Sequence, residues 1–290
     1  MRFTYAETMT DPSFYVPLAQ AAEAAGYTSM TIADSLAYPK ESDATYPYTP
    51  DGNREFLEDK PFIEVFVLSA AIAAATTTLR LTPFVVKLPI RPPVLVAKQA
   101  ASIAALSGNR FGFGVGISPW PDDFEIMGVP FERRGARMDE CIDIVRGLTA
   151  GGYFEFHGEF YDLPPIKISP VPTEPIPILI GGHSGPALRR AAQRGDGWMH
   201  AGGDPAELGR LLAKLDVLRA EYGTRKDFEI HVISLDGFTV DGVKRLEDKG
   251  VTDVIVGFRY PYTTEPDTES LDTKIAHLSR FAEKVIAKTS

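Results

Sequence analysis

From residue 2 to residue 288 the chain alternates short apolar runs with helical stretches, and this alternation restricts its folds more than any other feature. Residues 2–8, 28–33, 79–85, 111–117, 176–181, 197–201, 228–235 and 252–258 read as strands, several too densely apolar for a half-exposed sheet and suited to a parallel sheet buried on both faces. Between and after them, 12–25, 62–76, 93–106, 134–150, 187–194, 205–222, 239–249 and 270–288 read as helices; the last places Leu271, Ile275, Leu278, Phe281, Ala282 and Val285 at helical spacing. Eight strand-and-helix units in 290 residues predict one α/β domain over residues 1–290, closed as a (β/α)8 TIM barrel. Insertions at 34–61, 118–133 and 258–269 follow strands 2, 4 and 8, which would gather them on the catalytic face. A hairpin, YFEFHGEFYDL with Gly158 at its turn, and a proline-rich stretch precede the fifth strand.

Composition removes several functions. A single cysteine, Cys141, rules out a disulfide within the chain and points to a reducing cytoplasm; its setting, RMDECIDIVRGL, suits a structural thiol. MRFTYAETM lacks a basic segment followed by an apolar one, and no run approaches the ~18 apolar residues that span a bilayer, so neither export nor membrane insertion is expected. A formal net charge of −9 without a basic face argues against nucleic-acid binding. Any anionic ligand must then be held by local geometry.

Such geometry is offered by IPILIGGHSGPALRRAAQRGDGW, residues 176–198. A buried strand runs into Gly181 and Gly182, Ser184 suits an N-cap and Pro186 a first helical turn, so backbone N–H groups and the positive helix end converge on residues 182–184. The segment reads either as a phosphate cradle or as a tight turn with a capping serine. The insertions are aromatic: Tyr38, Tyr46, Tyr48 and Phe56 in the first, Trp120, Phe124 and Phe131 in the second, Tyr260 and Tyr262 in the third. They suit an apolar pocket or lid, or alternatively loop packing or a subunit interface. His157, His200, His231 and His277 show no metal-ligand spacing, and no metal is expected. His200 is the one histidine among these four expected beside the pocket, and Trp198 reads as cofactor wall or barrel packing.

Four blocks in order, LRLTPFVVKLPIRPPVLVAKQAASIAALSGNRFGFGVGIS, MGVPFERRGARMDECIDIVRGL, FHGEFYDL and PILIGGHSGPALRRAAQRGDGW, resemble the luciferase-like monooxygenase superfamily over roughly residues 1–200. The resemblance implies a barrel binding FMN or the deazaflavin coenzyme F420 at its mouth, with the phosphate at Gly181, Gly182, His183 and Ser184. It also implies a non-prolyl cis peptide backing the ring at Pro83 to Phe84, preceded by Thr82, and cofactor contacts at Gly116 and Ile117. The sequence looks most like the F420-dependent branch, which implies hydride transfer between the deazaflavin and a small organic substrate. An FMNH2-dependent monooxygenase fed by a separate reductase and a non-catalytic flavin-binding protein are the alternatives. A homodimer, supplied with reduced cofactor by a reductase or an F420-reducing dehydrogenase, is expected.

The pattern is not followed everywhere. Where many relatives end the second strand in Asp-His, this chain has Asp34 and Ser35, the two candidate catalytic positions; where sugar-phosphate dehydrogenases of the deazaflavin branch carry an acid after the fourth strand, it has Ser118 and Pro119. Tyr5, Tyr38, Trp120, Trp198 and His200 are the expected substrate-pocket residues, and Arg54, Lys87 or Arg91 could hold a glutamate tail.

Overall fold

A strand buried on both faces must present apolar or very small side chains to both sides, and the barrel is built on that requirement. The computed structural model describes residues 1–46, 49, 51–224 and 227–289; Tyr48 lies outside them. Its strands are β1 (Arg2–Ala6), β2 (Ser29–Ile32), β3 (Arg80–Pro83), β4 (Val86–Lys87), β5 (Phe113–Gly116), β6 (Phe154–His157), β7 (Asp162–Ile166), β8 (Ile178–Gly181), β9 (Gly197–His200), β10 (Glu229–Ile233) and β11 (Asp253–Val256). The helices are α1 (Tyr15–Ala24), α2 (Val65–Ala75), α3 (Pro93–Ser107), α4 (Pro121–Ile126), α5 (Arg134–Thr149), α6 (Gly185–Arg194), α7 (Pro205–Tyr222), α8 (Val240–Glu247), α9 (Leu271–Phe281) and α10 (Ala287–Thr289), the last two joined by a π-helical turn, Ala282–Ile286.

Nine strands form one parallel sheet in the order β3-β2-β1-β11-β10-β9-β8-β5-β4. Of its two end strands, β3 falls within the predicted strand 79–85 and β4 lies just beyond it, and a bridge between Leu81 of β3 and Phe111, just before β5, closes the ring. The result is the expected TIM barrel with its third strand broken. β6 and β7 pair antiparallel as the predicted hairpin, apart from the barrel sheet.

The break lies one bond later than the resemblance implied. Phe84 N still donates to the Ile32 carbonyl at 2.8 Å, which keeps the Pro83 to Phe84 peptide in the ladder with β2, and the cis bond joins Phe84 to Val85. The neighbouring strand makes room for it. In FGFGVG, Phe111, Phe113 and Val115 pack outward while Gly112, Gly114 and Gly116 face inward. A Cβ on Gly114 would overlap the Pro83 carbonyl oxygen, and one on Gly116 would come within 2.5 Å of Val85 Cγ2. The glycine stripe is therefore the seat into which the third strand sinks.

Inside the barrel, Leu179, Met199 and Ile255 form an apolar layer against Ala6, Phe84, Val85 and Ile233. Below it the floor is ionic. Arg2 Nη2 lies 2.6 Å from Asp253 and 3.0 Å from Glu229, Arg80 Nη1 2.7 Å from Glu229, and His231 Nε2 2.8 Å from Glu229 and 3.4 Å from Asp253. Glu229, His231 and Asp253 are near enough to share a cation, a grouping that spacing along the chain did not reveal, but Arg2 and Arg80 already supply its positive charge. Burial opposes ionisation of Glu229, yet the His231 hydrogen bond and the Arg80 charge outweigh it and hold the carboxyl well below its ordinary range. Cys141 is buried in α5, where burial pushes its thiol up to about 11, as a structural cysteine requires.

Candidate functional site

At the C-terminal end of the barrel the broken strand forms a platform. Val85 projects between Gly116 and Gly181: Cβ atoms there would come within 2.5 Å and 3.0 Å of its methyl groups. The two glycines thus make room for the Val85 side chain, which with Phe84 forms a half-buried apolar surface at the strand break. Thr82 lies deeper, its hydroxyl 2.9 Å from that of Ser29. Ile117 faces away from the barrel, near Gly135 on α5, so only its backbone is turned to the mouth.

Beside the platform, the GGHSG stretch forms the tight turn with a capping serine. Ser184 caps α6, accepting a hydrogen bond from Ala187 N at 3.3 Å, and Gly182 adopts a φ of +117°, which glycine adopts most readily. The positive end of α6 is reinforced by Lys214 of α7, whose Nζ lies 3.1 Å from where a Gly185 Cβ would be. A cation at a helix N-terminus is unfavourable by itself and becomes favourable when an anion lies between them. Nothing in the local sequence pointed to Lys214, which arrives from the next helix.

His183 does not extend over the mouth. Its Nε2 accepts from Ala201 N at 3.1 Å, which puts the ring proton on Nδ1 toward Glu207, and the ring stacks on His200 at 4.5 Å and 11°. Burial, then the neighbouring His183, pushes His200 down to about 4. The pocket expectation for Tyr5, Trp198 and His200 is corrected here. Met199 points inward, so the alternation of side chains along β9 turns Trp198 and His200 to the helix side, while Tyr5 packs against Tyr27 and Phe258. Trp198 instead supports the loop from behind, its Nε1 donating to the Gly182 carbonyl at 2.8 Å.

The charged side chains at the mouth are tethered. The Asp34 side chain, almost fully buried, receives Arg91 Nη2 at 2.7 Å and Lys87 N at 2.9 Å, so it ties β2 to the segment after the strand break. Lys87 faces inward opposite Gly116 and places its Nζ 2.8 Å from Asp123 Oδ2 and 5.0 Å from the Trp120 ring centroid. Asp123 also accepts a hydrogen bond from Ser118 Oγ. Ser118 thus meets a carboxylate that comes from α4, five residues later, where PWPDDFE offered three acids and no means of choosing among them. Arg54 donates to the Pro39 carbonyl and lies 4.8 Å over the Tyr38 ring. With Arg91 on Asp34 and Lys87 on Asp123, all three expected tail-binding cations have internal partners.

Ser35, Tyr38 and Trp120 line a small cleft with Leu57, Lys60 and Phe62. The three insertions meet above it. Tyr46 lies 5.1 Å from Phe56, 5.8 Å from Trp120 and 5.6 Å from Tyr262 between ring centroids, and Lys60 Nζ donates to the carbonyls of Thr264 and Glu265. Buried Lys274 anchors the third insertion, 2.9 Å from Asp267 and 3.2 Å from Glu7. Phe124 and Phe131 pack on each other within the second insertion.

Comparison with known proteins agrees with this architecture. The chain matches the luciferase-like monooxygenase family over residues 3–239 and belongs to it, a family of oxidoreductases and monooxygenases. It is 73% identical over 288 residues to Uncharacterized protein Rv0940c of Mycobacterium tuberculosis, covering 99% of this chain and 100% of that one. It is 34% identical over 149 residues to Pyrimidine monooxygenase RutA of Allorhizobium ampelinum, covering 49% of this chain and 40% of the relative. Among solved structures, an F420-dependent secondary alcohol dehydrogenase in complex with an F420-acetone adduct superposes with a TM-score of 0.78 at 14% identity, covering 100% of this chain and 99% of the other. The F420-dependent tetrahydromethanopterin reductase of Methanopyrus kandleri gives 0.75 at 16% over the same shares, a likeness of fold. Among the described residues no helix is long and apolar enough to cross a membrane.

Proposed function

We propose that this luciferase-like chain is an F420-dependent oxidoreductase acting on a small organic molecule in the cleft beneath the aromatic lid. The observation that carries the reading is the half-buried apolar pair Phe84 and Val85 at the strand break, seated there because Gly116 and Gly181 have no Cβ to displace Val85. The α6 N-terminus with Lys214 fits a phosphate beside that seat. When bound, the deazaflavin supplies a hydride carrier. The chain would supply the rest: Phe84 and Val85 would back the ring, and the lid residues Trp120, Tyr46 and Tyr262 would exclude water. Lys87, fixed by Asp123 with its ammonium 5.0 Å from the ring centroid of Trp120 in the cleft wall, is the candidate proton donor accompanying hydride movement. Ser35 lines the same cleft, but an unassisted hydroxyl is a poor base near neutral pH.

In this reading the working form is a homodimer in the cytoplasm, supplied with reduced cofactor by a separate reductase or F420-reducing dehydrogenase. The exposed side of α2, whose Val65–Ala75 run has no charged residue, favours pairing with a second copy. Similarity to RutA over half the chain favours a second reading, an FMNH2-dependent monooxygenase using the same platform.

Parallel calorimetric titration with F420 and FMN tests the choice. F420 should bind more tightly, and Gly182→Val should weaken binding without unfolding the protein. Binding of FMN alone would transfer the assignment to the monooxygenase reading, and binding of neither would remove both.

A further inference from the structure

A second, more open cavity lies on the helix side of the barrel, behind the strand that feeds the third insertion. Its floor is aromatic: Phe238, Phe258 and Phe281 lie 5.7 to 6.2 Å apart between ring centroids, with Val285 beside them. Its remaining lining is basic or neutral, consisting of Arg280, Lys284 and His277. Arg280 and Lys284 are exposed, and among the described residues neither forms an ion pair, whereas His277 Nε2 lies 3.4 Å from Glu269. Two uncommitted cations over an apolar floor, in a chain of net charge −9, make a local reversal of sign. The π-helical turn Ala282–Ile286 supplies part of the wall, a departure from regular helix frequent at functional sites.

We propose that this cavity binds a small free carboxylic acid with an apolar body, which rests on the three phenylalanines while its carboxylate pairs with Arg280 and Lys284. The complementarity favours this occupant over a second copy of the chain, because a two-fold contact here would set the same two cations against themselves. The site is separate from the mouth, since Phe258 packs with the outer shell and not with the inner apolar layer. Yet Phe258 directly precedes Arg259, which donates to the Thr8 carbonyl and pairs with Asp267, and the same insertion carries Tyr262 into the lid. Occupancy would therefore bear on the anchor of that insertion.

Calorimetric titration of the full chain with octanoate, octanol and octylamine, which share one body and differ in head-group charge, tests the proposal. Octanoate should bind, octanol about tenfold more weakly, and octylamine not at all. The exposed double substitution Arg280→Glu with Lys284→Glu should abolish octanoate binding and admit octylamine. The milder Arg280→Gln with Lys284→Gln should reduce octanoate to the level of octanol, with circular dichroism confirming that each variant is folded. Failure of octanoate to bind, or binding that survives both substitutions, would overturn the proposal.

Discussion

The floor and the mouth of the barrel both bury charge but use it differently. At the floor, Arg2, Arg80, Glu229, His231 and Asp253 come from four strands and satisfy one another within a layer closed above by Leu179, Met199 and Ile255. At the mouth, charges pair separate elements around the rim: Asp34 with Arg91, Lys87 with Asp123 of α4, and Lys274 of α9 with Asp267. A closed network fastens strands together, whereas pairs distributed around a rim position loops and leave a cleft between them. Charge at the strand starts therefore reads as stability, and charge at the strand ends as the frame of a site.

This contrast predicts a hierarchy of effects. Glu229→Gln leaves two arginines and a histidine at the floor without their shared carboxylate and should cost about 3–5 kcal/mol in urea unfolding. Cofactor affinity of the remaining folded protein should be unchanged; a normal unfolding midpoint would break the distinction. Gly116→Ala should cost about 1–3 kcal/mol because its methyl meets Val85, and it should weaken cofactor binding, a pairing of effects the floor variant must not show. Lys87→Met should cost about 2 kcal/mol, less than the floor variant because it breaks one ion pair and Asp123 keeps its hydrogen bond from Ser118. Adding Asp123→Asn should recover part of that loss, and strict additivity in the double-mutant cycle would show that the pair is uncoupled.

The smallest effect is set by pH at the rim. The His200 pKa is depressed in the fold to about 4 from an ordinary 6.5, so its contribution is fully present above about pH 6.5 and is lost as pH falls toward 4. Between pH 7 and pH 5 the wild type should lose about 1–2 kcal/mol that His200→Phe does not lose, measured by denaturation at both pH values. Equal slopes would place the sensitivity elsewhere.

The same contrast separates what was legible in the sequence from what was not. The strand and helix order, the three insertions, the Ser184 cap and the hairpin were readable because each depends on residues adjacent in the chain. Gly112, Gly114 and Gly116 were visible as a pattern, but their purpose was not, because it depends on a bulge in another strand. Trp198 and His200 were expected in the pocket because they end a strand; which side of the sheet they face follows from the parity fixed by pairing of β9 with β8 and β10.

By itself the sequence determined the secondary-structure order, and with it a parallel barrel whose long loops share one end, because hydrogen-bonded periodicity and turn chemistry are local. Only the tertiary structure decided which charges are partners: Asp123 for Lys87, Arg91 for Asp34, Lys214 for the start of α6. Ion pairing depends on distance in space, and barrel closure brings together residues whose separation along the chain carries no record of it.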